Sequence, residues 1–277
     1  MKINNLVISS ALLASLPSQA AIVANFTDGA GSSLPDQYAG AAGSGWLGAW
    51  GTNNGPTVTV ADGSPINSGG NYMNVTSSVT NDTAVGRRFD GSSGGVNTTF
   101  PVTFTFALRL DTLTGWDNSN DYVSVHANST AAGTNYNVSN NSSFIIRGYG
   151  ASPAPGKNAN QWLFYDGAGD ASGFNAANFQ NSGMTIAAGM TYIFTVTNKP
   201  ATKEYDVSIF DGTNTVSATN LGWRANTASN GIAFNNRVST GTDAISYSVD
   251  NISIVPEPST VTLLGLAGLA MLRRRRA

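Results

Sequence analysis

The sequence contains no cysteine and a single histidine, His126. Without cysteine the chain has no disulfide bond, no thiolate metal site, no cysteine nucleophile and no lipid anchor on cysteine. Charged residues make up only 11% of the 277 residues, and Glu204 is the only glutamate before the C-terminal segment. Because acid–base catalysis requires positioned titratable groups, we expect that the protein is not an enzyme.

A helical period is also missing from the central part of the chain, where apolar and polar side chains alternate with a period of two. Phe104, Phe106 and Leu108 alternate in this way with Thr105 and Ala107, which is the pattern of a strand with one buried face. The predicted strands span residues 22–26, 57–61, 72–77, 84–89, 102–110, 121–127, 143–148, 161–165, 191–196, 205–209, 231–235 and 245–255. About a dozen strands separated by turn residues favour an all-β fold, a two-sheet antiparallel β-sandwich or jelly roll over residues 21–255.

Three local features of this β-sandwich can be predicted. Residues 191–211 form a hairpin with a loop of about six residues at 198–203. The last strand changes phase between Val249 and Ile252, so we expect a β-bulge at Asp250–Asn251, because one extra residue keeps both apolar sets on the inner face. The glycine- and serine-rich residues 29–55 are predicted to be long loops.

The N-terminus has the pattern of a secretory signal peptide. A positive Lys2 precedes the apolar residues 6–16, and Ser18-Gln-Ala20 has the small-x-small form of a cleavage site. We expect residues 1–20 to be removed on export and exclude them from the fold.

The C-terminus has three consecutive parts. Pro256-Glu257-Pro258 is expected to end the last strand, because proline fixes φ and lacks an N–H donor. Residues 260–272 are uncharged and form a predicted helix of about 20 Å, shorter than a hydrocarbon core of about 30 Å. The arginines that close the segment are expected to stay cytoplasmic as a membrane stop: Arg273, Arg274, Arg275 and Arg276. We expect this helix to anchor the chain in the inner membrane, transiently or permanently, with the rest of the chain outside.

These three parts resemble the PEP-CTERM sorting signal, with Pro256, Glu257 and Pro258 as its motif. The resemblance implies export from a bacterium with an outer membrane and processing near the motif by exosortase, a membrane-embedded cysteine protease or transpeptidase. It also implies a final location at the cell surface or outside the cell, often together with exopolysaccharide. The expected partners are therefore exosortase, the export machinery and polysaccharide.

The central part, residues 21–255, has nine basic and fifteen acidic residues, a net charge of −6. This balance gives no electrostatic attraction to nucleic acid. The order of its strands resembles the concanavalin A-like, or laminin G-like, jelly roll. That resemblance implies that the first and last strands lie side by side.

Sugar binding requires an aromatic side chain and a few fixed polar groups, in some proteins with Ca²⁺ held by loop oxygens. The candidate for such a site is Trp116 with Asp117, Asn118 and Asp121, in the loop after a predicted strand. Residues 166–170, which contain two aspartates, are a second candidate. An ordinary Asx-rich turn is the alternative for both loops. No cofactor is predicted, and calcium is left open.

Two further groups bear on catalysis. His126 takes the outward phase of its strand and is predicted to lie at the surface. Glu204-Tyr-Asp206 lacks the second glutamate of a Glu-x-Asp-x-x-Glu pattern. We therefore expect an exported, non-enzymatic protein of the cell surface or extracellular matrix, associated with exopolysaccharide. A lectin-like carbohydrate-binding module is the alternative, and a glycoside hydrolase is less favoured.

Overall fold

The structure is a computed structural model. It describes residues 22–24, 26, 46–66, 70–78, 80–89, 99–128, 142–167, 174–225 and 229–257. The predicted signal peptide, Pro258, the apolar helix and the four terminal arginines lie outside the described residues.

The described residues form antiparallel strands joined by turns, with one 3₁₀ turn at Ala176–Asn178 and no α-helix. The strands are β1 (Ile22–Ala24), β2 (Trp46–Asn53), β3 (Thr57–Asp62), β4 (Asn71–Ser77), β5 (Thr83–Phe89), β6 (Val102–Thr114), β7 (Tyr122–Asn128), β8 (Ser142–Tyr149), β9 (Gln161–Tyr165), β10 (Phe179–Thr185), β11 (Thr191–Lys199), β12 (Glu204–Phe210), β13 (Thr215–Gly222), β14 (Gly231–Arg237) and β15 (Ala244–Pro256).

The strands form two sheets that pack face to face. The eight-stranded sheet has the order β13-β12-β11-β6-β15-β4-β3, with β1 added beside β15. The seven-stranded sheet has the order β10-β9-β8-β7-β14-β5-β2. This arrangement confirms the predicted all-β, two-sheet antiparallel sandwich.

Aromatic side chains from the inner faces of both sheets meet in the core. Phe106 of the eight-stranded sheet stacks on its neighbour Phe194 at 4.9 Å between ring centroids and meets Phe234 of the seven-stranded sheet edge-on at 5.6 Å. The ring of Trp162 meets that of Phe194 edge-on, with 5.1 Å between the ring centroids. Such edge-to-face pairs stabilise the core beyond the area that they bury.

Three local predictions are confirmed. The first and last strands pair, with Ile22 opposite Ile254. The β11–β12 hairpin runs in continuous register, although its loop spans residues 200–203 and is shorter than expected, because Asn198 and Lys199 still belong to β11. The register of β15 on β6 shifts between Asp250 and Ser253, and Asn251 has a φ of 53°. One extra residue on β15 therefore forms the bulge that brings Ile254 back to the inner face.

Two expectations were wrong. Residues 46–53, expected to be loop, form strand β2, with the ring of Trp50 buried in the core. Strand β15 also runs one residue into the Pro-Glu-Pro motif, where Pro256 lies opposite Val102. A proline is tolerated there because the end of a strand does not require its N–H group.

Candidate ligand-binding face

The loop predicted to bind sugar is organised by Asp121, whose side chain is buried. Its Oδ2 atom accepts hydrogen bonds from the backbone N–H groups of Asp117 at 3.1 Å and Asn118 at 2.8 Å. Its Oδ1 atom accepts one from the N–H of Ser239 at 2.6 Å. Both carboxylate oxygens are thus used to hold the turn and to join it to the loop after β14.

Trp116 in the same loop is half-buried and packs against the core. Gly150 lies directly beneath it, since a Cβ atom there would come within 2.9 Å of the backbone of Trp116 and Asp117. The side chains of Asp117 and Asn118 are exposed. The structure thus places two polar groups at the surface beside a tryptophan that is partly withdrawn, and sugar binding by this loop stays a prediction.

Asp166, in the second candidate loop, joins the edges of the two sheets. Its Oδ1 atom accepts a hydrogen bond from the N–H of Gly222 at 2.8 Å, and its Oδ2 atom accepts one from Gln180 at 2.7 Å. Asp170 lies outside the described residues. In the part of the chain that the structure describes, no group of three or more His, Cys, Asp or Glu side chains is placed to hold a metal ion.

Of the two carboxylates at the start of β12, that of Asp206 has structural partners, whereas Glu204 is tied to the fold through its backbone. Asp206 forms an ion pair with Lys199 at 2.6 Å and accepts a hydrogen bond from the N–H of Asn220 at 2.9 Å. The backbone carbonyl of Glu204 accepts a hydrogen bond from the indole N–H of Trp223 at 2.8 Å.

The prediction that His126 lies at the surface was wrong, since its side chain is 0% exposed. The predicted face of the sheet was correct, because Val125 and Ala127 face the core and His126 faces the other way. The outer face of the seven-stranded sheet is itself shielded from solvent along β7, however, and outward does not mean exposed there.

Six side chains on this outer face form two adjacent rows, which we call the polar grid. Asn235 of β14, Ser124 of β7 and Arg147 of β8 are direct cross-strand neighbours in one row. Arg237, Tyr122 and Tyr149 form the next row on the same three strands. Because residues two apart on a strand point to the same side, all six side chains face away from the core.

The first row of the polar grid holds polar atoms without hydrogen-bond partners among the described residues. These are both amide atoms of Asn235, the hydroxyl of Ser124 and the Nε atom of Arg147. Asn235 and Ser124 are 0% exposed. Buried polar groups almost always have a partner, so unpartnered atoms on three adjacent side chains mark a place where a polar ligand can be held.

Aromatic rings hold the guanidinium of Arg147 in place. Its Cζ atom lies 4.1 Å from the ring centroid of Tyr122 and 4.9 Å from that of Phe174. Its Nη1 atom donates a hydrogen bond to the hydroxyl of Tyr149 at 3.1 Å. Burial raises the pKa of Tyr122 well above its usual range, so this ring stays neutral and supplies only its π-face and hydroxyl group.

The polar grid was not predicted from the sequence. Its side chains alternate with apolar ones, as on any strand with a solvated outer face, and only the cross-strand register brings them together. The signal that could have been used is the position of the arginines in an acidic chain. Four of the six arginines between residues 21 and 255 lie in strands of the seven-stranded sheet: Arg87, Arg88, Arg147 and Arg237.

The sorting motif begins within the eight-stranded sheet. Pro256 is buried at the end of β15, and the backbone N–H of Glu257 donates a hydrogen bond to the carbonyl of Pro101 at 2.9 Å. The hydroxyl of Thr103 donates one to the carboxylate of Glu257, also at 2.9 Å.

Comparison with known proteins identifies this C-terminal segment. Residues 255–276 match the family model described as the PEP-CTERM protein-sorting motif. The chain therefore carries this motif, and it is an exported protein that is sorted to the cell surface. No curated protein matches the chain in sequence. No helix with the length and apolar character of a membrane span occurs in the described part of the chain.

Solved structures with similar folds include proteins that act on or bind carbohydrate. The catalytic domain of the glycoside hydrolase family 131 protein from Coprinopsis cinerea is 12% identical with a TM-score of 0.55, over 85% of this chain and 93% of that one. Lectin II from Ulex europaeus is 11% identical with a TM-score of 0.46, over 86% and 98%. A sialidase is 12% identical with a TM-score of 0.46, over 75% of this chain and 17% of the sialidase, so the chain spans only a small part of it. At such identities the likeness concerns the fold alone, a lectin-like jelly-roll sandwich.

Proposed function

We propose that this protein is a non-enzymatic component of the cell surface or extracellular matrix that associates with exopolysaccharide through the polar grid. The observation that carries the proposal is the row of unpartnered polar atoms on Asn235, Ser124 and Arg147. Sugar sites combine aromatic surface with a few fixed hydrogen-bonding groups. The polar grid supplies an amide, a hydroxyl and a guanidinium beside the rings of Tyr122 and Tyr149.

The partners of the carboxylates support the non-enzymatic part of the proposal. Glycoside hydrolysis generally requires two carboxyl groups that flank the scissile bond, roughly 5–9.5 Å apart, with one kept protonated. Asp121, Asp166 and Asp206 are each held by backbone N–H groups or by a lysine. These contacts stabilise turns and sheet edges and keep the carboxylates from serving as a free acid–base pair.

A lectin-like module that binds at the Trp116 loop is the second candidate. The exposed side chains of Asp117 and Asn118 beside the partly buried ring of Trp116 favour it. A glycoside hydrolase that uses Glu204 is the third. Loss of binding on Trp116→Ala would select the second candidate, and a hydrolytic activity that is lost on Glu204→Gln would select the third.

The proposal is tested by retention of the purified exported protein on exopolysaccharide from the matrix of its own host. We expect the wild-type protein to be retained and Asn235→Ala to be released at lower competitor concentration, since the substitution removes two hydrogen-bonding atoms from the polar grid. Trp116→Ala is the matched control and should be retained like the wild type. Failure of the wild-type protein to be retained would contradict the proposal.

A further inference from the structure

We infer that the ligand of the polar grid carries a carboxylate, as the uronic acid units of an acidic polysaccharide do. The inference rests on the function proposed above and concerns the same site. Its starting point is Arg147, which is 6% exposed and takes part in none of the ion pairs found among the described residues.

Burial disfavours the charge of Arg147, whereas Tyr149, Tyr122 and the carboxylate of Asp82 favour it and raise the pKa of the guanidinium. Asp82 acts from beyond ion-pair distance, so among the described residues no carboxylate contacts the guanidinium directly and the lost hydration is only partly replaced. Aromatic rings and one tyrosine hydroxyl fix the guanidinium of Arg147, yet its Nε atom stays without a partner in the described structure. A carboxylate matches this group, because the planar guanidinium donates parallel hydrogen bonds to two carboxylate oxygens.

The neighbours of Arg147 complete the match to a sugar acid. Ser124 lies next to it across the strands and Asn235 lies one strand further. Their unpartnered hydroxyl and amide atoms can accept from and donate to the hydroxyl groups of the same sugar ring. Arg237 adds less charge, since it lies 3.7 Å from the carboxylate of Asp82.

The charge distribution of the whole molecule agrees with an acidic ligand. Residues 21–255 carry a net charge of −6, yet arginines are concentrated in the seven-stranded sheet, and Arg109 is the only one in the strands of the eight-stranded sheet. An acidic polymer is repelled less at this sheet than elsewhere, since Arg88 and Arg237 are partly exposed there. Because the polar grid is shielded from solvent, binding requires this face to open, and we expect association well below the diffusion limit.

The test is titration calorimetry of the purified exported protein with polygalacturonate and with dextran, a neutral polymer. We expect binding to polygalacturonate, and about tenfold weaker binding for Arg147→Lys, which keeps the charge but loses the planar fork. Ser124→Ala removes one hydroxyl without disturbing a buried charge and should weaken binding in the same direction. Arg109→Lys, the same change on the other sheet, is the matched control and should bind like the wild type.

The outcomes separate this inference from the proposed function. Equal affinity for the two polymers would overturn the inference that the ligand carries a carboxylate and leave a neutral glycan as the ligand. Unchanged binding of polygalacturonate by both Arg147→Lys and Ser124→Ala would overturn the inference as well, because the acidic polymer would then bind outside the polar grid. Failure to bind these polymers, together with loss of retention on host exopolysaccharide, would overturn the proposed function itself.

A second observation, independent of the polar grid, concerns the sorting motif. We infer that the folded sandwich holds Glu257 and thereby slows recognition of the motif by the sorting enzyme. Glu257 forms two hydrogen bonds at the start of β6. Its carboxylate accepts one from the hydroxyl of Thr103, and its backbone N–H donates one to the carbonyl of Pro101, the residue that precedes β6. A protease binds its substrate in an extended, accessible form, so the end of β15 has to leave β6 first.

Thr103→Val tests this inference, because it removes the hydroxyl that donates to Glu257 and nearly preserves the shape of the side chain. It also removes the hydrogen bond between the hydroxyls of Thr103 and Thr197, which does not involve Glu257. We expect the backbone amide of Glu257 to exchange hydrogen faster and the full-length precursor to be processed about fivefold faster, the effect of one hydrogen bond. Thr105→Val, on the same face of β6, is the control and should change neither rate. A Glu257 amide that is unprotected in the wild type, or an unchanged processing rate, would overturn the inference.

Discussion

Two tyrosines in the sandwich core provide a paired prediction about stability. Tyr205 and Tyr247 both extend from the eight-stranded sheet into the core, and both are 0% exposed. The hydroxyl of Tyr205 crosses to the seven-stranded sheet and lies 2.5 Å from the carbonyl oxygen of Tyr165 and 3.3 Å from that of Ile145. The hydroxyl of Tyr247 has no partner within the described residues.

The same substitution should therefore have opposite effects at the two positions. Tyr205→Phe removes a hydrogen bond and leaves a buried carbonyl without its donor, which should lower the free energy of unfolding by about 1–3 kcal/mol. Tyr247→Phe removes a buried hydroxyl that gains nothing from the fold, so the free energy of unfolding should stay unchanged or rise by up to about 1 kcal/mol. Burial raises the pKa of both hydroxyls, so neither is ionised near neutral pH.

The assay is equilibrium unfolding in urea, followed by tryptophan fluorescence, of the wild type and the two variants under one set of conditions. At this chain length each 1 kcal/mol corresponds to about 2–4 °C in the melting temperature, which gives an independent check. A destabilisation of Tyr247→Phe equal to that of Tyr205→Phe would refute the reasoning, because it would mean that the hydrogen bond across the sandwich contributes nothing specific.

Three further predictions concern turns and sheet edges. Gly222→Ala should destabilise the sandwich by about 3 kcal/mol or more, because the new Cβ atom would lie 1.7 Å from a backbone carbonyl oxygen. At about 2–4 °C per kcal/mol, a melting temperature within about 2 °C of the wild type would contradict this prediction. The pKa of Asp211 lies below its ordinary value, because the backbone N–H groups of Asn214 and Thr213 donate to its carboxylate. The contribution of this turn is therefore present above the ordinary pKa of aspartate and is lost as pH falls through the lower folded value, and an NMR titration midpoint at or above the ordinary value would refute it. Asp121→Asn should lower the free energy of unfolding by about 1–3 kcal/mol. The carboxylate accepts from three backbone N–H groups with its two oxygens, whereas one of the two terminal atoms of an amide is a nitrogen that cannot accept. Unchanged thermal unfolding would contradict this role of Asp121.

The strands that sequence patterns revealed are mostly those in the middle of the sheets. A central strand buries one full face, and its apolar side chains therefore recur at every second position, as in β6 and β11. The strands that were missed, β2, β10 and β13, all lie at sheet edges. An edge strand has one neighbour and buries fewer side chains, as in β13, where only Leu221 is fully buried and Val216 and Ala218 are partly covered, so its apolar alternation is weak and resembles a loop.

The candidate site could be predicted less well than the fold, because a strand pattern separates two faces but does not say what covers each of them. The alternation around His126 gave the correct face and the wrong exposure. The row Asn235–Ser124–Arg147 depends on register between strands that lie far apart in the sequence. The bulge at Asp250–Asn251 could be predicted because both of its flanking apolar sets lie within one strand.

The central claim is that the outer face of the seven-stranded sheet, rather than the Trp116 loop, binds glycan. The most direct measurement is glycan-array binding of the purified exported protein, with and without Ca²⁺, for the wild type, Asn235→Ala and Trp116→Ala. Binding to glycans that is independent of Ca²⁺, lost in Asn235→Ala and kept in Trp116→Ala, is the predicted result. Binding that requires Ca²⁺ and is lost only in Trp116→Ala would contradict the account and place the site in the loop.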